Sequence, residues 1–140
     1  ILIGRLCCTI DSMKLDNIIS ALKLSWSAET AYDSKDWSPE NPSRGQCAVS
    51  SLVVQDYLGG EIIRFDVEVD GNHEKHYANI VDGKLIDVTR GQFPDRAIFV
   101  INNPNLGEFA SLRHRLLSDK DTRRRYAILR RKFRLLVDGE

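Results

Sequence analysis

Apolar residues recur at helical spacing at Leu15, Ile18, Ile19 and Leu22, with Trp26 still in phase, and predict an amphipathic helix over residues 14–24. The periodicity then stops. Between residues 26 and 43, serines, aspartates and prolines interrupt every pattern, and Pro39 and Pro42 forbid regular ladder bonding around them. A loop of this length carrying two tryptophans, Trp26 and Trp37, is of the kind that folds over a site as its wall. Gly45-Gln46-Cys47-Ala48-Val49 then opens a segment that is apolar on most faces, runs to Leu58 and stops at Gly59-Gly60. It predicts a buried helix beginning near Gln46.

Period-two alternation takes over at Ile63, Phe65, Val67 and Val69. A second strand is expected over 76–81 and a third over 84–89, joined by Asp82-Gly83, a strong hairpin signal. A fourth is expected over 97–101. His73 falls in the 70–75 connection and reads as a solvated turn residue. Phe109, Leu112, Leu116 and Leu117 mark one C-terminal helix. Ser118 with Asp121 resembles a capping box that starts another, with Tyr126, Leu129, Phe133 and Leu136 as its apolar stripe. The pattern is that of an α+β fold: a cysteine-bearing helix packed on a small antiparallel sheet and flanked by N- and C-terminal helices.

Composition narrows this picture. At 140 residues and 42% apolar content the chain is long enough for one domain with a real core. No apolar run approaches the roughly 20 residues a spanning helix needs. The three cysteines include the vicinal pair Cys7 and Cys8, which is no disulfide framework, so a reducing cytoplasm is the expected compartment. Cys47, His73, His76 and His114 form no metal-ligand spacing, and no cofactor is called for. Met13 opens the first helical pattern, so residues 1–12 read as an upstream extension or a remnant of cloning and residues 13–140 as the domain.

Charge is segregated although the net charge is zero. Residues 113–134 carry ten Arg and Lys against two acids, Asp119 and Asp121, behind an acidic body. Arg123, Arg124, Arg125, Arg130, Arg131, Lys132 and Arg134 could grip nucleic acid or an acidic partner. Without aromatic interleaving, such a run is more often the wet side of an amphipathic helix.

One constellation could carry chemistry. A thiol attacks as thiolate, and both a helix N-terminus and an imidazolium favour that form. Cys47 is placed for the first effect. Gly45 leaves room for a substrate backbone, and the unpaired amides of the first helical turn could hold an oxyanion. The hairpin supplies the second. A two-residue Asp82-Gly83 turn pairs Val81 with Lys84, sets Ala78 opposite Asp87 and His76 opposite Thr89, and puts Asp87 on the His76 face, diagonally across. Asn79, the other candidate orienter, falls on the opposite face. Taken singly, these residues have plainer uses: a cysteine in an apolar helix is usually a small buried hydrophobe, and an aspartate before Val-Thr often caps a turn. Cys47, His76 and Asp87 are the expected nucleophile, base and orienter. Gln46, Trp26, Trp37 and Asn79 are the expected substrate contacts, although packing or capping is the commoner use of Gln46 and of the tryptophans.

The string Ser25-Trp26-Ser27, Glu29-Thr30, Trp37, Asn41-Pro42-Ser43 and Gly45-Gln46-Cys47-Ala48-Val49, followed by Leu52-Val53-Val54-Gln55-Asp56-Tyr57, Gly59-Gly60, His76-Tyr77, Asn79, Ile86-Asp87, Thr89, Gln92 and Phe93, resembles the bacterial YunG-like family of small cytoplasmic proteins. The resemblance spans roughly residues 20 to 93; beyond it only Arg125-Tyr126 and Leu129 match. That family looks related to papain and transglutaminase-like folds. The resemblance therefore implies a papain-like fold with Cys47 as nucleophile, His76 as base and Asp87 as orienter, and names no substrate. Ala78 stands where it implies an aromatic residue, a change that would either widen the site or mark lost activity. The expected function is cysteine-dependent acyl transfer (amidase, peptidase, deamidase or transglutaminase-like) on a protein, peptide or amide. The alternative is a catalytically inactive papain-like module that binds a protein.

Overall fold

The computed structural model describes residues 12–139. Helix α1 (Ser12–Ser25) buries Ile18, Ala21 and Leu22, the predicted stripe, and Ser25 closes it by donating to the Ala21 carbonyl at 2.7 Å. The segment to Gln46 is irregular, as expected, with a single 3₁₀ turn at Ala28–Thr30. Helix α2 (Cys47–Leu58) follows, and every residue from Val49 to Val54 is buried. A helix buried on all sides needs partners on all sides. Strands β1 (Glu61–Val69) and β2 (Asn72–Val81), and the C-terminal helix α4 (Lys120–Val137), supply them.

The turn out of α2 depends on glycine. Gly59 and Gly60 have φ of 72° and 75°, and a Cβ on Gly60 would stand 2.2 Å from the Ile80 carbonyl oxygen. No other residue type fits that approach.

With β3 (Lys84–Ile86) and β4 (Ile98–Ile101), the strands form one antiparallel sheet in the order β3-β2-β1-β4. The register predicted for the second hairpin holds, with Val81 opposite Lys84 and Asn79 opposite Ile86. The first hairpin is tighter than predicted. Asp70-Gly71 is a two-residue turn with φ of 52° and 84°, so Val69 pairs with Asn72. Strand β2 therefore starts four residues earlier than expected. His73 is not in a loop but in β2, its Nδ1 2.7 Å from the Asp66 carboxylate on β1. Conversely, β3 stops at Ile86, and Asp87 lies in the turn leading to a 3₁₀ segment at Arg90–Gln92.

The sheet separates two apolar clusters. Ile62 joins Leu22, Trp26, Val49, Leu52, Leu129 and Phe133 on the helical side. Phe65, Val67, Ala78 and Phe93 gather on the other. The C-terminal helices are α3 (Leu112–Leu117) and α4. The cap of α4 is Asp119, whose carboxylate accepts from the Thr122 amide at 2.9 Å, not the expected Ser118. Tyr126, Leu129 and Phe133 are buried as predicted, but Leu136 is exposed. Among the described residues, no helix is long and apolar enough to cross a membrane.

Candidate functional site

The irregular 26–46 segment is a clamp on the start of α2. Gly45, at φ 74°, accepts from the Tyr32 amide at 2.9 Å, and a Cβ there would press to 2.9 Å from the same nitrogen. Gln46 is the N-cap residue, its carbonyl receiving the Ser50 amide at 2.9 Å. Its side chain is fully buried and committed at both ends: Oε1 accepts from the Thr30 hydroxyl at 2.8 Å, and Nε2 donates to the Ser27 carbonyl at 2.9 Å. Trp26 adds a third tie, its indole N–H donating to Ser50 Oγ at 2.9 Å.

This clamp presents Cys47 as the first residue of α2. It is partly exposed and lines a cleft of about 530 Å³, together with Tyr32, Gly45, Tyr77 and Gln92. The Cys47 and Ala48 amides precede the first intrahelical bond of α2, which is donated by Ser50, so they are of the unpaired kind that opens every helix. The positive end of the helix dipole sits at the sulfur.

His76 comes to the same place from β2. Its ring is fully buried and meets Phe93 and Phe99 edge-on at centroid separations of 5.1 and 5.6 Å. Nε2 lies 2.7 Å from Asp87 Oδ2, and the other Asp87 oxygen accepts from the Thr89 amide at 3.3 Å. Asp87 reaches the ring because the chain turns out of the sheet after Ile86. Nδ1 has no well-formed hydrogen bond among the described residues. Burial by itself would favour the neutral ring. The hydrogen bond to Asp87, the interaction with Cys47 and the negative charge of both outweigh it and push His76 up to about 9. Cys47 is thus close enough to act on the ring, and Nδ1 is the nitrogen that Asp87 leaves free.

Tyr77, next along β2, faces the opposite side and packs toward α2. Burial raises its pKa, and the charge of Cys47 adds to the rise. Tyr77 and the exposed Tyr32 also line a second hollow of about 640 Å³ that extends to Arg115 and Phe109. On the far rim, Arg44 bridges Asp36 at 2.8 Å and Glu74 at 2.7 and 3.0 Å, tying the clamp to β2.

The structure therefore brings Cys47, His76 and Asp87 together. It does not bring the four expected substrate contacts to the cleft. Gln46 and Trp26 are spent on the clamp. Asn79 is fully buried and donates to the Ser51 carbonyl at 3.0 Å, tying β2 to α2. Trp37 donates to the Pro42 carbonyl at 2.8 Å within its own loop. Ala78 sits in the apolar cluster behind the sheet, so its small size does not enlarge the cleft. Among the residues that do line it are Tyr32, Arg44, Tyr77 and Gln92, none of which follows from local spacing. The basic segment is mixed: most of its arginines are solvated, but Arg125 is only 2% exposed, bonded to Asp121 at 2.8 Å and to the Thr30 carbonyl at 3.4 Å.

Fold and site together define an α+β protein with a cysteine at the head of a buried helix and a His-Asp pair presented by the adjoining sheet. The chain belongs to the YunG family, whose model, described as YunG protein, matches residues 14–137. It is similar to the uncharacterized protein YunG of Bacillus subtilis (strain 168), with 39% identity over 79 residues, 56% of this chain and 63% of that protein. The aligned segment thus spans less than two thirds of the length of that curated relative. No solved structure matches the chain.

Proposed function

We propose that this chain is a cysteine-dependent acyl-transfer enzyme of papain or transglutaminase-like type, folded as one domain over residues 13–140 and working in a reducing cytoplasm. The observation that carries this reading is the His76 ring, held by Asp87 at 2.7 Å through one nitrogen while the other has no partner beside Cys47 at a helix N-terminus. In this mechanism the Cys47 thiolate adds to a carbonyl carbon and the carbonyl electron pair moves onto oxygen, where first-turn amides stabilise it. The intermediate collapses to a thioester as His76 protonates the departing amine. Water or an acceptor amine then attacks, with His76 as base, and the thiol is restored. Asp87 holds the ring and its tautomer throughout. The two hollows meeting at Tyr32 and Tyr77 suit an extended substrate such as a peptide or a protein side chain.

The test is site-resolved alkylation by iodoacetamide, followed as a function of pH by mass mapping of the Cys47 peptide. An activated thiol reacts with an inflection well below the free-cysteine value of about 8.5, and His76→Ala slows the reaction near neutral pH. If Cys47 in the folded chain stays inert at neutral pH, the enzyme reading fails and a protein-binding module of the same fold takes its place.

A further inference from the structure

We propose that Gln92 supplies the side-chain donor of the oxyanion hole at Cys47, an assignment that rests on the acyl-transfer reading above. Gln92 is 8% exposed and lines the cleft that Cys47 lines. Its Oε1 accepts from the Gly45 amide at 3.2 Å and from Arg44 Nη1 at 3.4 Å. Both partners are donors, so the orientation of the amide is settled: a flip would set its NH₂ against two N–H groups. The nitrogen is the end left over, and Nε2 is buried without a hydrogen-bond partner among the described residues. An unsatisfied buried donor costs about 1–3 kcal/mol. Gln92 and Cys47 line one cleft, and an anchored, oriented donor kept there is in reserve for charge that is not yet there.

The same short connection carries both groups. It leaves β3 at Asp87, which holds His76, and reaches Gln92 through the 3₁₀ turn, where the Gln92 amide donates to the Thr89 carbonyl at 3.1 Å. Phe93 then packs edge-on against His76. Gln92 is therefore tied to Gly45, two residues before Cys47, and by its neighbour to the base. Gln46 is adjacent to Cys47 in sequence, but both ends of its amide are taken. When the Cys47 sulfur bonds to the carbonyl carbon and the π pair moves to oxygen, Gln92 Nε2–H and a first-turn amide donate to that oxygen. Both are released as the bond to the leaving group breaks.

The experiment compares two reactions of Cys47 in the full chain with Cys7 and Cys8 replaced by serine. Acylation by p-nitrophenyl acetate, read as the burst of p-nitrophenolate, passes through an oxyanion. Alkylation by iodoacetamide does not, and it normalises for the amount of thiolate. Gln92→Ala, and Gln92→Glu, which keeps an acceptor for Gly45 and Arg44, should each lower the ratio of acylation to alkylation about a hundredfold, with unchanged circular dichroism. A ratio that holds within about twofold of wild type in Gln92→Glu, or a parallel fall of both rates in both variants, overturns the assignment and leaves Gln92 as an anchor for Gly45. Wild-type Cys47 that alkylates no faster than a free thiol, or that never acylates, overturns the acyl-transfer reading itself. Rapid wild-type acylation with an unmoved variant ratio sinks only the role of Gln92.

Discussion

The Asp87 carboxylate meets the Nε2 edge of His76 at 2.7 Å from a position just outside the sheet, one residue beyond the end of β3. The bond takes up Nε2 and leaves Nδ1 without a well-formed partner among the described residues. Removing the carboxylate frees the ring and withdraws a charge that favours its protonated form. Asp87→Ala should slow Cys47 alkylation near neutral pH about tenfold and acyl transfer by about 10²-fold or more. Stopped-flow acylation and peptide mapping measure both, and rates equal to wild type would remove Asp87 from the mechanism.

Stability should carry the signature of His76 as well. Its folded-state pKa is raised from 6.5 to about 9, so the protonated ring binds more favourably in the folded chain than in the unfolded one. The resulting stabilisation is fully present below pH 6.5 and disappears as pH climbs through about 9. Thermal midpoints measured across that window should fall for the wild type and fall less for Asp87→Ala. A wild-type midpoint that stays level or rises would contradict the ion pair.

Gln46 and Gln92 should separate cleanly. Gln46→Ala removes both ends of a buried bridge to Ser27 and Thr30. It should cost about 2–3 kcal/mol in denaturant unfolding. The ratio of acylation to alkylation at Cys47 should stay at the wild-type value, because that amide faces the clamp and not the cleft. A selective loss of acylation would return Gln46 to the site.

Within the basic helix, Arg125 should stand apart from its neighbours. It is buried, while Arg124 is exposed and pairs with Asp121 in solvent at 2.8 Å. Arg125→Ala should destabilise by about 3 kcal/mol, since it leaves the Thr30 carbonyl and the surrounding cavity without a partner. Arg124→Ala should stay within about 0.5 kcal/mol. Equal unfolding midpoints for the two variants would show that Arg125 is solvated like the rest.

Much of the architecture is written in local pattern. The period of α1, the Gly59-Gly60 stop, the Asp82-Gly83 turn and the apolar stripe of α4 each follow from side-chain spacing or backbone preference over a few residues. Turn chemistry also carried the register of the second hairpin as far as Ile86, but Asp87 meets His76 from outside the sheet, which that register did not show. The early start of β2 escaped because Asp70-Gly71 lies among polar residues, with no apolar alternation beyond it to signal a strand.

Residue order alone thus determined most of the elements, the turn of the second hairpin and the placement of a cysteine at a helix start, all properties of short chain segments. Tertiary packing decided which side chains were still free to act. Gln46 and Gln92 carry the same amide, and no local rule tells them apart. One closes a loop onto α2 from both ends, while the other is gripped only by its oxygen. Hydrogen-bonding capacity is assigned by whatever long-range partners the fold delivers, so the unspent donor becomes visible only once the chain has closed around it.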